Sequence, residues 1–93
     1  MSGPTTTIGS DVTLVNNSVN LVNTSVARLL TLPTPTAAAQ IIVKDSIGTA
    51  STNNITVARA GSEKIEGIAA SKILQTNFGS WTFESDGTDW FIV

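Results

Sequence analysis

The sequence contains no cysteine and no histidine, and only 13% of its 93 residues are charged. Without cysteine the chain can form neither a disulfide nor a thiolate metal site. Without histidine it lacks the commonest metal ligand, general base and pH switch. Most familiar catalytic constellations are therefore excluded, and we expect no cofactor.

Charge of either sign is sparse. The net charge is −2, and the five cations are scattered along the chain: Arg28, Lys44, Arg59, Lys64 and Lys72. This distribution lacks the basic patch that nucleic-acid binding requires. There is also no run of 18 apolar residues and no basic, apolar leader segment. We therefore expect neither a nucleic acid nor a membrane as partner.

Hydroxyl-bearing and β-branched residues are abundant instead. Val, Ile and Thr together supply 31 of the 93 residues, and so do Ser, Thr and Asn. This composition favours strands with a hydroxyl-rich surface. A chain of this length forms one small domain that buries only about 60 to 65% of its unfolded surface. Because few charges cover the remainder, we predict that the chain buries apolar surface by self-association.

The N-terminal segment contains a seven-residue repeat that supports two interpretations. Residues 14–19, Leu-Val-Asn-Asn-Ser-Val, recur as Leu-Val-Asn-Thr-Ser-Val at 21–26. Aliphatic residues spaced four and three apart are typical of a coiled coil. The Asn, Ser and Thr between them favour short strands at about 11–15, 19–23 and 26–32.

Both interpretations give the segment the same role. We predict an N-terminal arm over residues 1–25, extended or in short strands, and a β domain over residues 26–93. The arm would supply an interface with other subunits or with a partner protein through its aliphatic residues: Ile8, Val12, Val15, Val19 and Val22.

The remainder of the chain alternates short apolar segments with turn signals. Strands are predicted at about 40–45, 55–58, 72–76, 81–84 and 89–93, with an Asp-Gly hairpin turn at 85–88. Strands with this spacing predict an all-β fold, a small sandwich or barrel. We predict that its core contains Ile42, Ile55, Val57, Ile65, Ile73, Trp81, Phe83, Trp90 and Ile92.

The polar residues form no catalytic pattern. Three carboxylates surround the predicted hairpin turn, and we interpret them as solvated turn residues: Glu84, Asp86 and Asp89. No Ser-x-x-Lys pair occurs that could replace a histidine base. We predict that the protein is not an enzyme and holds no metal. An alternative binding role is a carbohydrate platform formed by Asn77, Trp81, Asp86 and Trp90.

Several segments of the second two-thirds of the chain carry a family resemblance. They are residues 32–33, 42–45, 48–57, 61, 65–67, 76–77, 79–80, 85–88 and 90–93. The most specific is Ala-Ser-Thr-Asn-Asn-Ile-Thr-Val at 50–57. These segments resemble a small β module of tailed bacteriophage virion proteins, found in capsid decoration proteins, head fibres and tail-fibre segments. Glu66 stands where similar sequences carry Asp.

The resemblance implies a β-rich virion protein without catalytic residues. Members of this family are often trimeric, so we expect the self-association to produce a homotrimer. A chain of 93 residues has room for one module and an arm, which favours a capsid decoration or cement protein over a complete fibre. We therefore expect a protein on the outer capsid surface that contacts the major capsid protein. The alternative is a head- or tail-fibre module that binds host-surface carbohydrate.

Overall fold

The computed structural model describes residues 4–93, which form nine strands and no helix. The all-β prediction is confirmed. In chain order the strands are β1 (Thr5–Ile8), β2 (Val12–Thr13), β3 (Ser18–Val22), β4 (Arg28–Thr31), β5 (Gln40–Asp45), β6 (Ile55–Ala58), β7 (Lys72–Leu74), β8 (Ser80–Ser85) and β9 (Trp90–Ile92).

The first six strands alternate between two sheets. β1, β3 and β5 pair in parallel in one sheet, and β2, β4 and β6 pair in parallel in the other. The chain thus winds through three coils, each with one strand in either sheet. The connections between these six strands lengthen along the chain, from three residues at 9–11 to nine residues at 46–54.

The last three strands add antiparallel partners to these coils. β8 pairs with β5 and β9 with β8, which completes a five-stranded sheet in the order β1-β3-β5-β8-β9. β7 pairs with β6 and completes a four-stranded sheet in the order β2-β4-β6-β7. Residues 86–89 form the turn between β8 and β9, one residue later than predicted.

The core lies between the two sheets and draws on both. Its largest fully buried side chains are Trp90 and Phe83 from the five-stranded sheet and Leu30 and Ile55 from the four-stranded sheet. The predictions for Ile55, Val57, Ile65, Phe83 and Trp90 are confirmed, since all five are fully buried. Trp81 and Ile92 are partly buried and pack against this cluster.

Two predicted core residues are on the outside. Ile42 is half-buried on the solvent face of β5, and Ile73 is 48% exposed on β7. Their neighbours Ile41, Val43 and Leu74 point inward instead. The prediction therefore exchanged the inward-facing and outward-facing residues of β5 and β7, an error of one residue along each strand.

The N-terminal segment is part of the same two sheets. Residues 5–22 supply β1, β2 and β3, so the strand interpretation is confirmed and the coiled-coil interpretation is wrong. β3 is hydrogen-bonded between β1 and β5, and β2 is hydrogen-bonded to β4. That residues 1–25 reach neighbouring subunits stays a prediction, and residues 1–3 lie outside the described residues.

Candidate functional site

The solvent face of the five-stranded sheet carries an aliphatic cluster at its centre. Val19 is paired with Ile42 in the β3–β5 ladder, and Leu21 lies two residues further along β3. Side chains alternate along a strand, so these three point outward while the buried Asn20 and Val43 point inward. All three are half-buried. We call Val19, Leu21 and Ile42 the outer patch.

Uncharged residues flank the outer patch along both ladders. Thr5 and Thr7 lie beside it on β1, and Thr82 lies beside it on β8. The backbone N–H of Val93 donates to the Thr82 carbonyl at 2.9 Å, which extends the row, and the Val93 side chain is 71% exposed. One complete row across the sheet is therefore free of charge.

The charged residues nearest the outer patch have intramolecular partners. Lys44 is paired with Leu21, and its ammonium donates to the Phe78 carbonyl and lies 5.7 Å from the centre of the Phe78 ring. Glu84 accepts a 2.6 Å hydrogen bond from the Gln40 amide. Ten of the twelve charged residues lie between Lys44 and Asp89. Residues 1–43 thus contain only two charged residues, Asp11 and Arg28.

The four-stranded sheet exposes a second apolar row. Leu29, Thr56 and Ile73 are paired across β4, β6 and β7. Leu29 is 45% and Ile73 is 48% exposed. Both outer faces of the molecule therefore offer aliphatic side chains between uncharged neighbours.

The five predicted interface residues are divided between core and surface. Ile8 and Val22 are buried between the sheets, and Val12 packs partly buried against the same core. Val15 is 59% exposed in the corner after β2, and Val19 belongs to the outer patch. Only Val15 and Val19 are thus available to a partner. Sequence analysis did not predict Leu21 and Ile42 as interface residues. Strand alternation would have identified them once one inward-facing residue of each strand was known.

The four residues predicted to bind carbohydrate do not share a surface. Trp90 is fully buried, and Trp81 faces inward, where its ring meets Phe83 edge to face with centroids 5.9 Å apart. Asn77 and Asp86 are exposed, but they lie beyond opposite ends of β8, about 20 Å apart at the rise of a strand. These four residues cannot form one binding site in this structure.

Asp45 is a buried carboxylate with a full set of hydrogen-bond donors. It accepts from the Thr24 hydroxyl at 2.7 Å and from the backbone N–H groups of Ile47, Gly48, Ala50 and Phe78, each at 3.0 Å. Burial raises the pKa of Asp45, but the hydrogen bonds outweigh burial and hold this pKa well below its ordinary value. The carboxylate thereby joins three separate loops.

The Ala-Ser-Thr-Asn-Asn-Ile-Thr-Val run belongs to the loop that Asp45 organises. Ala50 is fully buried. The Asn53 amide donates to the Thr24 carbonyl at 2.9 Å, and the Asn54 amide donates to the Ala50 carbonyl at 2.6 Å. The run thus shapes the connection from β5 to β6, and these two amides act on the protein's own backbone.

Phe78 is an exposed aromatic side chain in a left-handed backbone conformation. Its φ is 56°, its side chain is 57% exposed, and its ring lies over Gly48. A Cβ added to Gly48 would lie 2.3 Å from the ring, so this packing requires glycine. Two hydrogen bonds maintain this conformation. The Phe78 N–H donates to the Asp45 carboxylate, and the Phe78 carbonyl accepts from the Lys44 ammonium.

The acidic residues of the last hairpin cap its turn. The Asp86 carboxylate accepts from the N–H groups of Asp89 at 2.8 Å and Thr88 at 2.9 Å, and these bonds lower the pKa of Asp86. Asp89 accepts from the Lys64 N–H at 2.8 Å. Across residues 4–93 no three metal-ligating side chains are grouped.

A polar surface groove of about 350 Å³ lies between three turns. Thr34, Glu63 and Asp89 contribute to its walls. Glu63 accepts from the N–H groups of Ala60 and Gly61, so its carboxylate, like that of Asp89, already stabilises a turn.

The described part of the chain contains no helix that could span a membrane.

Comparison with protein-family models and with curated protein sequences finds no match for this chain.

Proposed function

We propose that this protein is a structural protein of the bacteriophage virion, a decoration protein that binds the outer capsid surface as a homotrimer. The observation that carries the proposal is the outer patch, an aliphatic centre in an uncharged row on the solvent face of the five-stranded sheet. Interfaces are depleted of charge at their centre and keep polar residues at the rim. Thr5, Thr7 and Thr82 form such a rim.

The resemblance to phage virion modules supports the same role. The residues that carry it fold into the Asp45-centred loop, the strands that follow and the last hairpin, which together maintain a fixed scaffold. In a decoration protein, a fixed scaffold keeps the binding surface preorganised and reduces the entropy lost on docking. Many weak contacts repeated by capsid symmetry then give strong retention.

The proposal assigns separate partners to separate surfaces. Copies of the chain meet at the outer patch, and the part of residues 1–25 that lies outside this patch reaches the major capsid protein. Val15 lies in that segment, 59% exposed at a corner, and is an apolar contact available to the shell.

The decisive experiment is the copy number of the protein in purified particles, measured by quantitative mass spectrometry. A decoration protein is present in hundreds of copies, and capsids without it lose resistance to heat. A few copies located at the tail, with loss of host binding on deletion, would refute the proposal and support the fibre alternative.

The trimer is tested separately by a matched pair of substitutions. Leu21→Glu places a charge in the outer patch, whereas Ile73→Glu places the same charge on the solvent face of the other sheet, where Ile73 is 48% exposed. We expect L21E to dissociate the trimer in light scattering and I73E to leave it intact. Dissociation by I73E alone would move the interface to the four-stranded sheet.

A further inference from the structure

At one end of the molecule, each sheet ends in an edge strand whose outer side is unpaired. β1 is the edge of the five-stranded sheet and β2 is the edge of the four-stranded sheet. The two are consecutive, joined by the corner at residues 9–11, and together form the first coil. Among residues 4–93 no segment pairs with the outer side of either strand. We call β1 and β2 the open end.

The hydrogen-bond pattern identifies the groups that the open end presents. The carbonyls of Pro4 and Ile8 accept from β3 and its following residue, at 2.9 and 2.8 Å. Successive residues of a strand direct their N–H and C=O to opposite sides. The N–H and C=O groups of Thr5 and Thr7 therefore point away from the sheet.

The same pattern holds on β2. The N–H of Leu14 donates to the Thr31 carbonyl at 2.8 Å, on the side of β4. Thr13, one residue earlier, therefore directs its N–H and C=O outward. Each sheet thus presents free donors and acceptors with the spacing of a strand.

The opposite edge of the five-stranded sheet is protected. Residues 64–66 lie along β9: the N–H of Glu66 donates to the Trp90 carbonyl and the N–H of Trp90 donates to the Lys64 carbonyl, both at 2.9 Å. The Glu66 carboxylate also accepts from the Ile92 N–H at 3.3 Å. Proteins usually protect edges with such cover, with Lys or with Pro. β1 and β2 contain neither Lys nor Pro.

We propose that in the free protein the open end pairs with the open end of a second copy about a two-fold axis. Unpaired strand edges are recognised by another extended strand. A single two-fold axis joins β1 to the second β1 and β2 to the second β2, both antiparallel, so that one contact satisfies both edges. Each strand then pairs with its own counterpart, so the two paired strands have equal length. This inference does not rest on the proposed virion function.

Charge does not oppose this contact. Between residues 4 and 27 the only charged residue is Asp11. Its carboxylate accepts a 2.9 Å hydrogen bond from the Leu29 N–H and so has a partner within its own chain. A two-fold interface brings identical residues close together, and a neutral edge permits this without like-charge repulsion.

Proline substitution tests the pairing without removing bonds inside the molecule. The N–H groups of Thr7 and Thr13 point away from β3 and β4, so Thr7→Pro with Thr13→Pro removes outward donors only. Thr7→Val with Thr13→Val is the matched control, because it keeps both donors and strand propensity. We expect the wild type and the valine variant to have a native mass of an even number of chains, and the proline variant to have half that mass.

Light scattering and far-ultraviolet circular dichroism on the full chain give the result. A dimeric wild type with a monomeric proline variant supports the pairing alone. A hexameric wild type with a trimeric proline variant supports the pairing together with a trimer. An odd number of chains in the wild type overturns the inference. So does an unchanged mass in a proline variant that keeps the β spectrum.

Amide hydrogen exchange supplies an independent readout. The N–H groups of Thr7 and Thr13 exchange slowly in a paired open end and rapidly in an unpaired one. We expect their protection in the wild type to fall on dilution as the pair dissociates. Rapid exchange of both amides at concentrations where the protein is associated overturns the inference.

Discussion

Thr24 and Asp45 are 21 residues apart in the sequence and share a buried hydrogen bond of 2.7 Å. Thr24 follows β3 and Asp45 ends β5, so the bond links the corners of two neighbouring coils. Both side chains are fully buried. The pair therefore stabilises the stacking of coils, in addition to the backbone ladder between β3 and β5.

Replacing Asp45 tests this linkage. In Asp45→Asn one acceptor oxygen becomes an NH₂ group, which faces N–H donors that it cannot satisfy. We expect the free energy of unfolding at pH 7 to fall by about 2–4 kcal/mol. Chemical denaturation measures it. Asp86→Asn is the control, because Asp86 caps an exposed turn through one oxygen that Asn retains, and we expect it to cost much less than Asp45→Asn.

The same carboxylate sets a pH dependence. Its pKa in the folded protein is lowered, so Asp45 stabilises the fold fully above its unfolded pKa of about 4. This contribution is lost as the pH falls from there towards the folded pKa. We expect the wild-type midpoint of thermal unfolding to drop between pH 5 and pH 2, and D45N to drop less. Equal drops in both proteins would contradict this role.

Gly48 and Phe78 form a second test, in which strain and packing can be separated. Gly48 and Gly67 both have positive φ, but only at Gly48 would a Cβ meet the Phe78 ring. We expect Gly67→Ala to cost about 1–2 kcal/mol from backbone strain alone, and Gly48→Ala to cost more.

Adding Phe78→Ala should relieve the excess. In the double-mutant cycle we expect G48A to cost about as much as G67A once the ring is absent, with a coupling of about 1–2 kcal/mol. Urea denaturation of the four proteins provides the measurement. A coupling near zero would mean that the ring does not rest on Gly48.

The strands after residue 40 were predictable because turn residues mark their ends. The predicted bounds of β5 and β6 agree with the structure, and those of β8 and β9 differ by one residue at each end. The phase was not predictable where apolar residues are contiguous. Ile41, Ile42 and Val43 are all apolar, so no polar residue shows which face each one takes.

The first three strands were harder to predict, because polar side chains occupy inward positions. Ser18 and Asn20 are buried on β3, where the Asn20 amide donates to Ser18 at 3.0 Å and to the Ile42 carbonyl at 3.1 Å. They interrupt the apolar alternation that identifies a strand. The seven-residue repeat also changes phase: Leu14 is buried in the first copy, whereas Leu21 is in the outer patch in the second.

The parallel pairing left no local signal. Thr5 is paired with Val19 and Arg28 with Ile55, so the partners are far apart in the sequence and no hairpin turn joins them. The open end is a consequence of this winding, and the outer patch depends on its register. Composition predicted self-association, but only the coil geometry shows which surfaces are available.

The two tryptophans differ in environment and give a spectroscopic prediction. Trp90 is fully buried, and Trp81 is half-buried. In Trp81→Phe the remaining emission comes from Trp90, and we expect it to be blue-shifted and resistant to iodide quenching. In Trp90→Phe the emission of Trp81 should be more readily quenched. Accessible emission from Trp90 would restore its availability to a carbohydrate.

Adjacent residues of β5 provide a final prediction, which separates folding from association. Ile41 is fully buried between the sheets and Ile42 is in the outer patch, although the two side chains are identical. We expect Ile41→Ala to reduce the free energy of unfolding of the monomer by about 3 kcal/mol, because it leaves a cavity. Ile42→Ala removes the same atoms from a half-exposed surface and should cost the monomer about 1 kcal/mol or less. It should instead raise the subunit dissociation constant, measured by sedimentation at several concentrations. If I42A unfolded the monomer as readily as I41A while leaving the dissociation constant unchanged, Ile42 would belong to the core and the outer patch would not be an interface.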